Sequence, residues 1–163
     1  MLVISDASPL NVLVRIERVA LLPKLFNRIV IPPAVEAELN DPRAPKEVRS
    51  FLGSRPSWLE VARPLALLDL PNIGPGERAA ISLACERKAD LLLIDDKRGR
   101  RAAKSLDLRI VGTIGILEQM AAPGWLDLRS AFDRVREIGF SASDELLDAA
   151  LRRDAQRRSL GPT

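Results

Sequence analysis

Six acidic side chains stand where an acid is costly unless it is put to use. Asp6 closes a short apolar run and Asp95-Asp96 close another. Glu77 follows Gly76 at the start of a helical stretch, and Glu36 and Glu38 lie two residues apart in the opening turns of a third segment. The chain contains no histidine and a single cysteine, Cys85. Those counts remove Ser-His-Asp and Cys-His nucleophilic mechanisms, His-ligated zinc chemistry and any disulfide framework. Acid–base and metal chemistry must then come from Asp, Glu, Lys or Ser. Ligand sets made only of oxygen select hard cations, so Mg²⁺ or Mn²⁺ is the cofactor class expected. Several like charges gathered at one place repel each other, and a bound divalent cation is the usual physical reason for tolerating them.

Singly, each acid also has an ordinary role. A carboxylate in the first turn of a helix favours the helix dipole, which suffices for Glu77. Glu38 fits a solvated helix face, and Asp95-Asp96 fit the cap of the helix that follows. Asp6 is harder to explain away, because it ends a run buried by its own composition. On a helical wheel with Val35 and Leu39 inward, Glu36 and Glu38 flank the apolar face on opposite sides, so periodicity leaves both open. Alternation along a strand means that only one of Asp95 and Asp96 points squarely into a shared site.

The elements that must position these groups are short. Residues 2–6, 28–31, 91–94 and 109–111 read as buried strands, and residues 58–61, flanked by prolines, as an edge strand. Helical spacing covers residues 10–16, 20–26, 33–39, 47–52, 77–87, 97–106 and 113–120, with two further helices near 126–137 and 143–158. Ser8 is the candidate N-cap of the first helix, with Pro9 at its first position. Continuously apolar strands alternating with amphipathic helices indicate an α/β fold with a mainly parallel sheet of four or five strands and helices on both faces. In such sheets ligands bind at the carboxyl ends of the strands, where Asp6 and Asp95-Asp96 would share one rim.

A chain of 163 residues, 47% hydrophobic and 29% charged, fits a globular domain with a real core. No apolar run approaches the roughly 20 residues needed to cross a bilayer. The start MLVISDASPL lacks the basic segment and cleavage site of a signal peptide, so a cytoplasmic protein with no membrane partner is expected. Net charge is only +3, so local charge distribution matters more than the total.

The stretches VISDASPL, IVIPPAVEAEL, GPGERAAISLA and LLLIDDKRGRRAAKSLDLRIVGTIGIL, in that order, cover roughly residues 1–120. Together they resemble the PIN-domain ribonucleases, and in particular the short prokaryotic subgroup that includes VapC-like toxins. The resemblance implies a three-layer α/β/α nuclease domain over residues 1–122, with residues 123–163 a C-terminal helical extension beside it. It also implies a Mg²⁺- or Mn²⁺-dependent endoribonuclease that leaves 5′-phosphate and 3′-hydroxyl ends. A small cognate antitoxin and a homodimer are implied as partners. The family's acidic quartet falls on Asp6, Glu38, Glu77 and the Asp95-Asp96 pair, with Asp96 the aligned member. Two departures stand out: the third acid is glutamate where aspartate is common, and Ile94-Asp95-Asp96 replaces a Thr/Ser-x-Asp pattern.

Carboxylates attract metal and repel RNA, so a basic surface is expected nearby. Lys97, Arg100, Arg101 and Lys104 form a stripe at helical spacing that starts beside the acidic pair, suited to phosphate binding or to a solvated face. Ser8, two residues past Asp6, is a candidate to bond a phosphate or orient a carboxylate. Arg152, Arg153, Arg157 and Arg158 form a second basic cluster that would suit a partner protein. With 4% aromatic residues and no tyrosine, base stacking is a minor contributor. Two other readings use the same acids: a receiver-like phosphoacceptor, which also groups carboxylates around Mg²⁺, and a non-catalytic RNA- or partner-binding module of the same fold.

Overall fold

The computed structural model describes residues 1–161. Five short strands form one parallel sheet: β1 (Val3–Ser5), β2 (Ile29–Ile31), β3 (Leu59–Val61), β4 (Leu91–Leu93) and β5 (Ile110–Val111), in the order β3-β2-β1-β4-β5. The VIS, IVI and LLL strands are apolar throughout because the central strands of a parallel sheet are covered on both faces. Val3, Ile4, Ile29, Ile31 and Leu93 are fully buried. β1 lies at the centre, with Val3 opposite both Ile29 and Leu91, and Ser5 opposite Leu93. β3 is the edge strand that its flanking prolines predict.

Nine α-helices lie among the described residues. The first six connect the strands: α1 (Ala7–Arg15), α2 (Leu22–Phe26), α3 (Pro33–Leu39), α4 (Lys46–Gly53), α5 (Pro75–Glu86) and α6 (Lys97–Ser105). Sheet order runs outward from β1 in both directions, so right-handed crossovers place the connecting helices on opposite faces. α5 is buried along almost its whole length, from Gly76 to Ala84, while α6 buries only Gly99 and Ala103 and leaves all of its charged residues except Arg100 exposed. The 3-2-1-4-5 order also differs from the 2-1-3-4-5 order of receiver domains, which removes the receiver-like reading.

The chain resolves into two compact units, Met1–Thr113 and Ile114–Thr163. The second contains most of α7 (Thr113–Ala121), then α8 (Leu128–Glu137) and α9 (Asp144–Ser159). Within it the second basic cluster is largely consumed. Arg153 donates to Glu118 at 2.7 Å, and Arg158 pairs with buried Asp154 at 2.7 Å. Arg157 reaches both acids, at 3.4 and 3.3 Å. Such partners offset the cost of burying the Asp154 carboxylate. These arginines therefore serve the packing of α7 and α9, and of the four that the sequence suggested only Arg152 has no acidic partner among the described residues. Among the described residues no helix is long and apolar enough to cross a membrane.

Candidate functional site

The chain leaves β1 through β2 to β3 on one side and returns to β4 and β5 on the other, so the sheet order reverses between β1 and β4. Loops diverge at such a point and leave a crevice beyond the strand ends. Asp6 stands at that crevice. Its backbone N–H extends the sheet by donating to the Leu93 carbonyl at 2.9 Å, which pins the residue to the end of β4.

Asp6 is 1% exposed, and its Oδ1 has no hydrogen-bond partner. Burial pushes its pKa up to about 8, helped by the charge of Glu77 and then by Glu38 and Asp95, against a lowering by the Ala7 backbone N–H. An unpartnered carboxylate oxygen in a buried place is a standing cost of folding. Evolution tolerates such a cost where the oxygen is needed for something else.

Glu38 comes from α3, which Pro32 and Pro33 start immediately after β2. As a residue it is exposed, yet its carboxyl end lies against the Gly76 backbone. A methyl group placed on Gly76 would come within 3.3 Å of Asp6 Oδ1 and 3.6 Å of Glu38 Oε2. Gly76 is thus a close-approach glycine: its missing side chain makes the space in which two carboxylates converge. Burial first, and Glu77 second, raise the Glu38 pKa. Glu36, left open by periodicity, is spent elsewhere, accepting from Arg55, just past the end of α4, at 2.8 Å.

Glu77 sits in the first turn of α5, behind Pro75 and Gly76, with its carboxylate folded back against Gly74. Asp95 and Asp96 divide their work. Asp95 accepts from Ser8 Oγ at 2.8 Å, from the Thr113 backbone N–H at 2.7 Å and from Thr113 Oγ1 at 2.7 Å. Asp96 is the N-cap of α6 and accepts from the Gly99 backbone N–H at 2.8 Å through Oδ1. Its other oxygen carries no hydrogen bond among the described residues. A methyl group on Gly99 would stand 3.5 Å from both Asp96 Oδ1 and Glu77 Cγ, so these two acids are neighbours.

Ser8 does not cap α1. Asp6 occupies the N-cap position with no side-chain cap bond, and Ser8 lies inside the first turn, which turns its hydroxyl towards Asp95. Arg100 also departs from its expected place in the basic stripe: it is half-buried, with Nη1 donating to the Ile94 carbonyl at 2.8 Å. Lys97, Arg101 and Lys104 are exposed. Sequence reasoning missed Thr113 and Gly76. The signals were present in the Gly-Thr pair after β5 and in the Gly-Pro-Gly before Glu77, but neither names its partner.

A family model described as a PIN domain matches residues 2–156. The chain belongs to the PIN-domain family. Its α/β architecture and parallel sheet agree with that membership, and the match extends through α7, α8 and most of α9. No curated protein and no solved structure matches the chain. PIN domains are nuclease-type hydrolases that use divalent metal ions, and this chain carries a nuclease-type function.

The residues of this PIN domain fit such an ion in donor chemistry: oxygen only, with the orphaned Asp6 Oδ1 facing Glu38 across Gly76. As the side chains stand, no three acids among the described residues converge closely enough to hold one ion. Glu77, whose carboxylate turns back to Gly74, is nonetheless the acid whose charge acts most on both Asp6 and Glu38.

Proposed function

We propose that this PIN domain is a Mg²⁺- or Mn²⁺-dependent endoribonuclease, with Asp6, Glu38, Glu77 and Asp96 as the ion-holding carboxylates. One observation carries the reading: a buried, unpartnered Asp6 oxygen at the sheet's switch point, within the electrostatic reach of Glu77, Glu38 and Asp95. When bound, a divalent ion would supply Lewis-acid activation of water and neutralise charge on the phosphate under attack. The protein's own part is positional. Asp6 is locked by the Leu93 carbonyl, and Gly76 lets Glu38 approach it. Asp95, with its three hydrogen bonds to Ser8 and Thr113, holds the ends of β1, β4 and β5 in register. We assign Asp95 as a positioning residue and Asp96, with one oxygen uncommitted, as the ligand of the pair.

We further propose that the enzyme is the toxin of a toxin–antitoxin pair, held by a small partner protein and working as a homodimer. Masking by a partner is supported by the exposed leucines Leu65 and Leu67, which are 92% and 51% accessible and line a groove of ≈ 490 Å³ with Pro32, Pro64 and Ile73. The test is cleavage of labelled RNA by the purified chain. Activity should need Mg²⁺ or Mn²⁺, stop with EDTA and vanish in Asp6→Asn. Cleavage that survives EDTA or that substitution overturns the reading, and cutting of DNA alone replaces its substrate.

A further inference from the structure

α6 has a second cationic face, turned from the stripe that its sequence suggests and sharing Arg101 with it. Arg98, Arg101, Ala102 and Ser105 recur at i, i+3, i+4 and i+7, which is one side of a helix. That side forms one wall of an open groove of ≈ 730 Å³, and the opposite wall is the segment Leu70, Pro71, Asn72 and Ile73. Asn72 has φ 64°, so the segment turns sharply there, in a conformation that asparagine adopts more readily than most residues. Arg98 and Arg101 are exposed, and neither has a carboxylate partner among the described residues. Arg55 and Arg43, by contrast, are paired with Glu36 and Asp41.

The groove also has a direction. Its helical wall begins at Asp96, the N-cap of α6, and its loop wall runs into Gly74 and Glu77. The two walls therefore diverge from neighbouring acids of the candidate site. One wall is cationic and the other apolar. A single nucleic-acid strand has matching edges: phosphates along one side, and ribose and base faces along the other.

We propose that this groove is the track by which single-stranded RNA leaves the carboxylate cluster, its phosphates against Arg98 and Arg101 and its sugars and bases against Leu70, Pro71 and Ile73. The inference rests on the nuclease reading and extends it to a substrate path. Two cations aimed at consecutive phosphates release counterions on binding, so the contribution appears in the salt dependence.

The probe is a fluorescein-labelled, mixed-sequence single-stranded RNA, with binding to the full chain followed by anisotropy in EDTA across a salt series. Arg98→Ala/Arg101→Ala should bind more weakly, and its log Kd against log salt slope should shrink by about 1.4, or about 0.7 per lost contact. Arg98→Lys/Arg101→Lys, which keeps the charges, should retain the slope. Arg129→Ala/Arg152→Ala, two exposed cations elsewhere, should leave it unchanged. A DNA strand of the same length should respond alike, because the phosphate is shared. An unchanged slope and Kd in the first variant overturns the track, as does wild-type protein that binds no RNA or that binds only an acidic polypeptide. Cleavage that is abolished by Asp6→Asn, measured in parallel, shows separately whether the nuclease reading stands.

Discussion

Ser8 and Asp95 lie 87 positions apart in the chain, and the Ser8 hydroxyl donates to Asp95 Oδ2 at 2.8 Å. This bond ties the first turn of α1 to the end of β4, beside the crevice where the two neighbouring strands part. Thr113 donates twice to the same carboxylate, bringing in the start of α7 after β5. Three segments are thus held on one acid, whose neighbour Asp96 is left with a single cap bond.

That division separates the two aspartates experimentally. Hydrogen bonds to a charged acceptor contribute about 1.5–3 kcal/mol, so Ser8→Ala and Thr113→Ala should each lower unfolding free energy by about 2 kcal/mol in urea titrations. Asp96→Asn should leave stability within about 0.5 kcal/mol, because asparagine caps a helix as well as aspartate does. The same variant should lose about 100-fold or more in RNA cleavage. Full activity in Asp96→Asn would shift the ligand role to Asp95.

Asp6 makes stability depend on pH in the metal-free protein. Its folded pKa of about 8 lies above the ordinary 3.8. Below about pH 4 both states carry the proton, and the contribution is fully present. Between pH 4 and 8 the native state holds a proton that the unfolded chain has released, so stability falls as pH rises, by at most about 1.4 kcal/mol per pH unit for one group. Glu38, also raised, acts in the same direction. Denaturant unfolding in EDTA should show wild type losing more stability than Asp6→Asn between pH 5 and pH 8. Parallel profiles for the two proteins would refute this.

The paired glutamates of α3 should differ sharply. Glu36→Gln removes a half-exposed ion pair with Arg55, which contributes about 0–1 kcal/mol, and should leave cleavage within about twofold. Glu38→Gln should lose about 100-fold in kcat/KM while folding normally. Equal losses in the two variants would mean that the α3 acid acts through the helix rather than at the site.

Gly76→Ala sets helix propensity against the site. Alanine gains about 1 kcal/mol over glycine in a helix, but its methyl would stand 3.3 Å from Asp6 Oδ1, where the neighbours must give slightly. Stability should therefore change by less than about 1 kcal/mol, while Mn²⁺-induced stabilisation in thermal melts falls, because the methyl occupies the space between two carboxylates. A wild-type Mn²⁺ response would remove Gly76 from the site.

Much of the architecture is visible in one dimension. Runs such as VIS, IVI and LLL are apolar at every position because a central parallel strand has no solvent face, and each ends where polarity returns. That places Asp6 and Asp95-Asp96 on one rim before any coordinates exist. The absence of histidine, equally one-dimensional, restricts the chemistry to carboxylates. Periodicity goes no further than assigning a face. It could not choose between Glu36 and Glu38, it left Ser8 as either a cap or a partner of a phosphate or carboxylate, and it put Arg100 in a stripe suited to phosphate binding or to a solvated face. Those roles are decided by groups on other elements: Arg55 consumes Glu36, Asp95 draws Ser8, and the Ile94 carbonyl takes Arg100. The sequence by itself determined which residues could do the chemistry and at which edge of the sheet they gather. Only the tertiary structure decided which remain uncommitted, because a side chain's hydrogen-bonding capacity is used up by neighbours in space rather than in sequence.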